Sequence, residues 1–170
     1  MNFLESLVAQ WYGWRGYFVR SNVRVRPLKH GGYGAELDVL AYSPKDGQFF
    51  HVETSSDALA WPERERRMKK KFDISHKEYE KAFSLKVNKI RKFAICGPSK
   101  SSGGKRWGEI EVITVREFVR TISEELSHKD FMREAVPESY PLLRAIQATV
   151  WAMNLTKVPR LAPQTVGEKQ

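Results

Sequence analysis

The chain has 170 residues, 41% of them hydrophobic, and a formal net charge of +9. This length suits one domain with a hydrophobic core, and the hydrophobic content excludes an intrinsically disordered chain. The single cysteine, Cys96, excludes a disulfide framework, and no apolar run is long enough for a transmembrane helix. We therefore expect a cytoplasmic protein without a signal peptide and without a membrane partner.

Hydrophobic periodicity and turn residues predict alternating helices and strands in a single domain over residues 1–155. The predicted elements are a helix over 2–14, strands over 17–25, 35–42 and 48–54, helices over 63–71 and 76–87, strands over 89–97 and 109–114, and helices over 115–126 and 139–154. Short turns between the first three strands favour antiparallel pairing, and the helical crossover before 89–97 favours parallel pairing. The sequence thus predicts an α/β fold with a mixed sheet flanked by helices, followed by a disordered tail over 156–170.

Two acidic residues lie within the predicted hairpin that joins strands 35–42 and 48–54. Asp38 and Glu53 each stand among apolar residues of their strand. A hairpin register would bring the two carboxylates side by side, where they repel each other unless a cation lies between them. Oxygen donors of this kind suit Mg²⁺ or Mn²⁺, so both residues are candidate metal ligands. The alternative is that both carboxylates lie on a solvated face of the sheet.

The positive charge of the chain is concentrated directly after this hairpin. Residues 62–106 carry fifteen basic and five acidic side chains, whereas the segments on either side are close to neutral. A basic segment beside paired carboxylates suits a polyanion whose phosphates approach a metal, so we expect nucleic acid as the partner. The charge does not distinguish DNA from RNA, and of the two we favour DNA. The alternative is an ordinary solvated helix face. The candidate nucleic-acid-binding residues are Arg64, Arg66, Arg67, Lys69, Lys70, Lys71, Lys77 and Lys81.

The order of elements together with these acids resembles the PD-(D/E)XK nuclease superfamily, whose members share an α-β-β-β-α-β core. Glu36-Leu37-Asp38-Val39 resembles the motif of the second core strand, and His51-Val52-Glu53-Thr54-Ser55 resembles that of the third. The resemblance covers residues 2–115. It implies a restriction-endonuclease-like fold and a Mg²⁺-dependent endonuclease that hydrolyses phosphodiester bonds.

The same resemblance implies roles for individual residues. Asp38 and Glu53 take the places of the metal ligands, the backbone carbonyl of Thr54 takes that of a further ligand, and Glu5 takes that of a helical acid beside the metal. Ser55 stands where the superfamily has a lysine. Its hydroxyl would position the attacking water, but it cannot supply a positive charge near the reacting phosphate.

The missing lysine leaves two interpretations open. In the first, a lysine from the following helices (Lys70, Lys77 or Lys81) reaches the site, and the chain cleaves nucleic acid. In the second, the site is inactive, and the chain binds nucleic acid or a protein partner without cutting, with the apolar helix over 139–153 as a docking surface for a protein. Many members of the superfamily dimerise, so a homodimer is also an open option.

Overall fold

The computed structural model describes residues 2–97 and 102–154, so the predicted tail over 156–170 lies outside the described residues. The helices are α1 (Phe3–Trp14), α2 (Trp61–Lys71), α3 (His76–Phe83), α4 (Val115–Ser127) and α5 (Pro141–Asn154). The strands are β1 (Phe18–Pro27), β2 (Tyr33–Tyr42), β3 (Phe49–Ser55), β4 (Ile90–Cys96), β5 (Arg106–Trp107) and β6 (Ile110–Thr114). In the described part of the chain, each helix is too short or too polar to cross a bilayer.

The six strands form one mixed sheet in the order β1-β2-β3-β4-β6-β5. β1, β2 and β3 pair antiparallel, and β4 pairs parallel to both β3 and β6. This arrangement confirms the predicted mixed sheet and the two kinds of pairing within it. β5 adds an antiparallel edge that was not predicted, because two residues are too few to show an alternating pattern.

Helices cover both faces of the sheet. On one face, α1, α4 and α5 bury an apolar cluster that includes Val8, Val52 and Ile122. On the other face, α2 packs through Met68 and α3 packs through Tyr79, each in a smaller cluster of its own. Each sheet face is apolar and must be covered, so this three-layer arrangement follows from the buried strand residues.

The helix α3 begins where the sequence predicts and ends earlier. Ser75 accepts a hydrogen bond from the backbone of Glu78, and the Glu78 side chain accepts one from the backbone of Ser75, which completes the predicted capping box. The predicted end near residue 87 is wrong. Ser84 has a φ of 58°, in the left-handed region, and this conformation ends the helix at Phe83.

The β2–β3 hairpin fixes which side chains share a face. Val39 is opposite Val52 and Leu40 is opposite His51, so Asp38 and Glu53 are the next residues in this register. Inside the connecting turn, the Gly47 N–H donates to the carbonyl of Ser43, and Gly47 has a φ of 68°. A positive φ costs glycine little, so the Asp-Gly sequence suits this turn. The hairpin register predicted from the sequence is confirmed.

Candidate functional site

Asp38 and Glu53 lie side by side on the sheet face that α2 and α3 cover. The Asp38 N–H donates to Glu53 Oε1 at 3.3 Å. Glu53 is fully buried and Asp38 is 7% exposed. The alternative that both carboxylates lie on a solvated sheet face is therefore wrong. We call these two residues the carboxylate pair.

Each member of the carboxylate pair is anchored through one of its two oxygens. Asp38 Oδ2 accepts hydrogen bonds from Thr54 N at 2.8 Å and Thr54 Oγ1 at 3.1 Å. Glu53 Oε1 accepts from His51 Nε2 at 2.6 Å as well as from the Asp38 backbone. Asp38 Oδ1 and Glu53 Oε2 remain, and both contact the ammonium of Lys71. Two carboxylate oxygens thus converge on one cation.

Lys71 is the last residue of α2. Its Nζ lies 2.9 Å from Asp38 Oδ1 and 3.0 Å from Asp38 Oδ2, and it forms an ion pair with Glu53 Oε2. Met68 and Phe72 are buried against the sheet, and Lys71 follows Met68 by three residues on nearly the same side of the helix. The predicted substitutes Lys70, Lys77 and Lys81 are exposed, so the structure corrects that choice to Lys71.

The surroundings of the carboxylate pair raise the pKa of Asp38 and lower the pKa of Glu53. Burial, followed by the charge of Glu53, raises the pKa of Asp38 to about 6. Burial would also raise the pKa of Glu53, but the His51 hydrogen bond and the Lys71 charge outweigh it and lower that pKa. Burial lowers the pKa of Lys71, and the two carboxylates together more than reverse this, so Lys71 stays charged. At neutral pH the site holds two carboxylates and one ammonium.

Two buried polar residues, His51 and Tyr79, form a hydrogen-bonded network that ends at Glu53. His51 is fully buried, and burial lowers its pKa, so its imidazole is neutral. Its Nδ1 lies 2.8 Å from the hydroxyl of Tyr79, and its Nε2 contacts Glu53. A carboxylate only accepts hydrogen bonds, so Nε2 carries the proton and Tyr79 donates to Nδ1. This network holds the Glu53 carboxylate in one orientation.

Ser55 borders the site without contacting the carboxylate pair. It lines a small cleft of about 40 Å³ together with Asp57, Arg67 and Lys71. The Ser55 hydroxyl donates to Asp57 Oδ2, which also pairs with Arg67 Nη1 at 2.7 Å. The hydroxyl expected to position water is therefore bonded to a neighbouring carboxylate.

The structure does not place Glu5 with the carboxylate pair. Its side chain accepts hydrogen bonds from Asn2 and completes the capping box at the start of α1. A more distant contact joins it to Asn22 at 3.5 Å. The predicted helical acid thus caps its own helix.

Arg64 is a further correction among the predicted nucleic-acid-binding residues. It is only 3% exposed, and its guanidinium donates to the backbone carbonyls of Asp57 and Gly97. Buried cations need such partners, so this arginine fixes the loop before α2 and is not available to a phosphate in solution. Lys71, another predicted nucleic-acid-binding residue, is half-buried and contacts the carboxylate pair. The other candidates are surface residues: Arg66 pairs with Glu63, Lys69 pairs with Glu65, and Arg67, Lys70, Lys77 and Lys81 are exposed.

The donors at the site suit a small divalent cation, although their number is low. Asp38 Oδ1 and Glu53 Oε2 are anionic oxygens that face one point, and Mg²⁺ is commonly held by one or two carboxylates with water completing the shell. Within residues 2–97 and 102–154, no group of three or more His, Cys, Asp or Glu side chains is placed to hold a metal. The role of the Thr54 carbonyl as a ligand stays a prediction.

The sequence was also compared with known proteins. No protein-family model and no curated protein matches it. A solved structure, the crystal structure of a protein of unknown function (AF1548), is similar over 89% of this chain and 96% of its own, with 12% sequence identity and a TM-score of 0.44. That degree of similarity indicates nothing about the function of this chain.

Proposed function

We propose that this chain is a metal-dependent nuclease that hydrolyses phosphodiester bonds, with DNA as the favoured substrate. The observation that carries the proposal is the ammonium of Lys71 on the carboxylate pair. The superfamily that the sequence resembles has a lysine two residues after the glutamate, where this chain has Ser55. Lys71 supplies the same charge from the next helix, so it can take the place of the lysine that is missing at Ser55.

The order of elements supports the finer assignment of the fold. α1, the antiparallel strands β1 to β3, the helices α2 and α3, and the parallel strand β4 follow one another as the α-β-β-β-α-β core requires. Asp38 and Glu53 lie on the second and third of these strands. We therefore propose a restriction-endonuclease-like core over residues 2–115, with α4 and α5 added after it.

Asp38 and Glu53 would hold the metal, Mg²⁺ or Mn²⁺, through Asp38 Oδ1 and Glu53 Oε2. The Lys71 ammonium contacts both of these oxygens, so it would have to leave them when the metal binds. When bound, such an ion activates a water molecule and stabilises negative charge on the phosphate. Removing two carboxylates from water is costly without a cation nearby, which makes a buried pair with only one ammonium an expensive arrangement for a purely structural role.

The residues of the chain itself have separate tasks in this proposal. Thr54 fixes Asp38 and His51 fixes Glu53, so both carboxylates are oriented before any ligand arrives. The Lys71 ammonium stabilises charge that develops on the phosphate, and such preorganised electrostatic stabilisation is often the largest single contribution to catalysis. Exposed Arg66, Arg67, Lys69, Lys70, Lys77 and Lys81 would bind flanking phosphates.

A non-catalytic binding module is the second candidate, and one observation favours it. The Lys71 ammonium already contacts both carboxylates, and the described residues provide no third acid at the site. In that case the three residues form a closed ion cluster, and the basic surface binds nucleic acid without cutting it.

Cleavage assays on a panel of substrates separate the two candidates. Single-stranded, duplex and branched DNA, and matching RNA, are incubated with Mg²⁺, with Mn²⁺ or with EDTA. We expect cleavage only with metal, and a loss of about 10²-fold to 10³-fold or more in Asp38→Asn and Glu53→Gln. Glu36→Gln, an exposed acid two residues earlier on β2, is the matched control.

Binding is measured on the same substrates in EDTA. Asp38→Asn should bind as tightly as the wild type or more tightly, because it removes negative charge that faces the phosphates. Nucleic-acid binding without cleavage by the wild type, on every substrate and with either metal, would favour the binding module.

A further inference from the structure

A second basic surface lies on the same sheet face as the carboxylate pair. It is an open cleft of about 510 Å³ at the amino ends of β4 and β6, where the start of α3 borders it. Lys89, Arg91 and Lys92 line it from the β4 side, and Arg106 lines it from β5. We call this surface the basic cleft. All four lie in the basic segment over 62–106, but none of them is among the residues named individually from the sequence as candidates for binding nucleic acid.

The charge of the basic cleft is largely uncompensated. Arg91 and Glu111 border the cleft, but their side chains pair with each other at 3.1 Å, and Arg91 lies over the ring of Phe93, which packs on the opposite face of the sheet. Glu109 is the other acid that lines the cleft. Lys89, Lys92 and Arg106 form no ion pair with any residue in the described ranges. Lys89, Lys92 and Arg106 against Glu109 leave an excess of positive charge in one concave surface, and such surfaces concentrate anions.

The sheet register places this cleft next to the carboxylate pair. Lys92 is the β4 partner of His51, and Ala94 is the β4 partner of Glu53. Directly paired residues point to the same face, so Lys92 shares the face of Glu53. Lys92 and Ala94, the β4 partner of Glu53, are two strand positions apart, which is about 7 Å along β4. Tyr79 connects the basic cleft with the carboxylate pair, because it lines the cleft and contacts His51, which contacts Glu53.

We propose that the basic cleft binds the phosphate backbone of a nucleic-acid strand that extends beyond the carboxylate pair. This deepens the proposed function, since it rests on nucleic acid being the ligand of that site. Lys92 and Arg106 are the principal contacts. Neither forms an ion pair within the described ranges, and both belong to strands of the sheet, so their backbone is positioned before the ligand binds.

Fluorescence anisotropy in EDTA tests the proposal without requiring cleavage. The probe is a fluorescein-labelled DNA strand of mixed sequence, alone or annealed to its complement, titrated between about 50 and 200 mM KCl. Wild type is compared with the double variant Lys92→Gln/Arg106→Gln. The matched control is Arg116→Gln/Arg120→Gln, which removes two exposed charges from α4 on the opposite face of the sheet.

We expect the double variant to bind about tenfold more weakly for each lost contact. Its plot of log affinity against log salt should be less steep by about 1.8 on the duplex, or by about 1.4 on the single strand, because two phosphate contacts are lost. The control should keep the wild-type slope. Arg106→Gln alone, at an exposed position, should show about half of the change in salt slope. It keeps the test valid if the double variant misfolds.

Three results would overturn the proposal. Equal slopes for the double variant and the control would reject the basic cleft while leaving the nuclease proposal intact. No binding by wild type at low salt would reject both. Displacement of the DNA by poly-glutamate at equal charge would assign the surface to an acidic protein instead. Weakened binding in the double variant, combined with no metal-dependent cleavage by wild type, would support the cleft and reject the nuclease.

Discussion

Asp38 is held in a state that a stability-optimised protein would avoid. Its carboxylate is almost fully buried beside a second carboxylate, and burial raises its pKa to about 6. The folded chain therefore binds this proton more tightly than the unfolded chain, whose aspartate has a pKa near 3.8. Such a group lowers the stability of the protein at neutral pH, which is a cost that functional sites commonly carry.

Asp38→Asn should remove this cost. The contribution of Asp38 to wild-type stability is greatest below pH 3.8, falls as the pH rises towards about 6, and is constant above that value. Two pKa units correspond to about 3 kcal/mol at most. Urea unfolding of both proteins in EDTA across this range should show the difference in free energy of unfolding moving in favour of the variant as the pH rises. A pH-independent difference would contradict the raised pKa of Asp38.

His51 and Tyr79 support the orientation of Glu53, so removing either should destabilise the fold. His51→Leu removes one hydrogen bond from the buried Glu53 carboxylate and leaves the Tyr79 hydroxyl without its acceptor, at an expected cost of about 2–5 kcal/mol in the free energy of unfolding. Tyr79→Phe removes one hydroxyl and should cost about 1 kcal/mol. His76→Ala, at an exposed position, is the control. Equal unfolding midpoints for His51→Leu and this control would mean that the buried network is not stabilising.

At the scale of elements, the position of α2 decides where Lys71 lies. Met68 is 3% exposed and packs with Phe72 against β4 and β6. Met68→Ala should lower the free energy of unfolding by about 2–5 kcal/mol, because it leaves a cavity under the helix. Lys70→Ala, on the exposed side of α2, should change it by less than about 0.5 kcal/mol. Urea unfolding measures both, and a Met68→Ala variant as stable as Lys70→Ala would contradict this packing.

The strand elements were predictable from the sequence because alternation and turn residues are local signals. They gave the mixed sheet and the hairpin register that sets Asp38 beside Glu53. The role of Lys71 was not predictable in this way. The buried residues of α2 are Arg64 and Met68. Because one of them is an arginine, the inner face of the helix does not appear as an apolar stripe in the sequence. The spacing of Trp61, Met68 and Phe72 is the remaining signal for that face.

At the scale of the whole molecule, the two basic surfaces and the carboxylate pair lie on one side of the sheet. One basic surface is formed by the exposed cations of α2, and the other is the basic cleft at the amino ends of β4 and β6. The opposite side is covered by α1, α4 and α5 around an apolar core. Concentrated positive charge attracts polyanions, so the nucleic acid that we propose as the ligand would approach from this side.

Metal binding should stabilise the whole fold through this site. A ligand that binds only the folded state adds about 2.7 kcal/mol at a concentration a hundredfold above its Kd. We therefore expect Mn²⁺ to raise the thermal unfolding midpoint of the wild type, EDTA to reverse the effect, and Asp38→Asn to show a much smaller shift. A similar rise in Asp38→Asn would place the metal elsewhere on the chain.

The most direct test compares two neighbouring lysines of α2 in one kinetic measurement. Single-turnover cleavage rates are determined at saturating metal and at saturating protein, so that the loss of a phosphate contact by Lys70 does not change the rate. The proteins are wild type, Lys71→Met and Lys70→Met, and the substrate is the one that wild type cleaves best. We predict a rate lower by about 10²-fold to 10³-fold for Lys71→Met, because its ammonium lies on the carboxylate pair, and an unchanged rate for the exposed Lys70→Met. Equal rates for the two variants would contradict the assignment of Lys71 to the catalytic site.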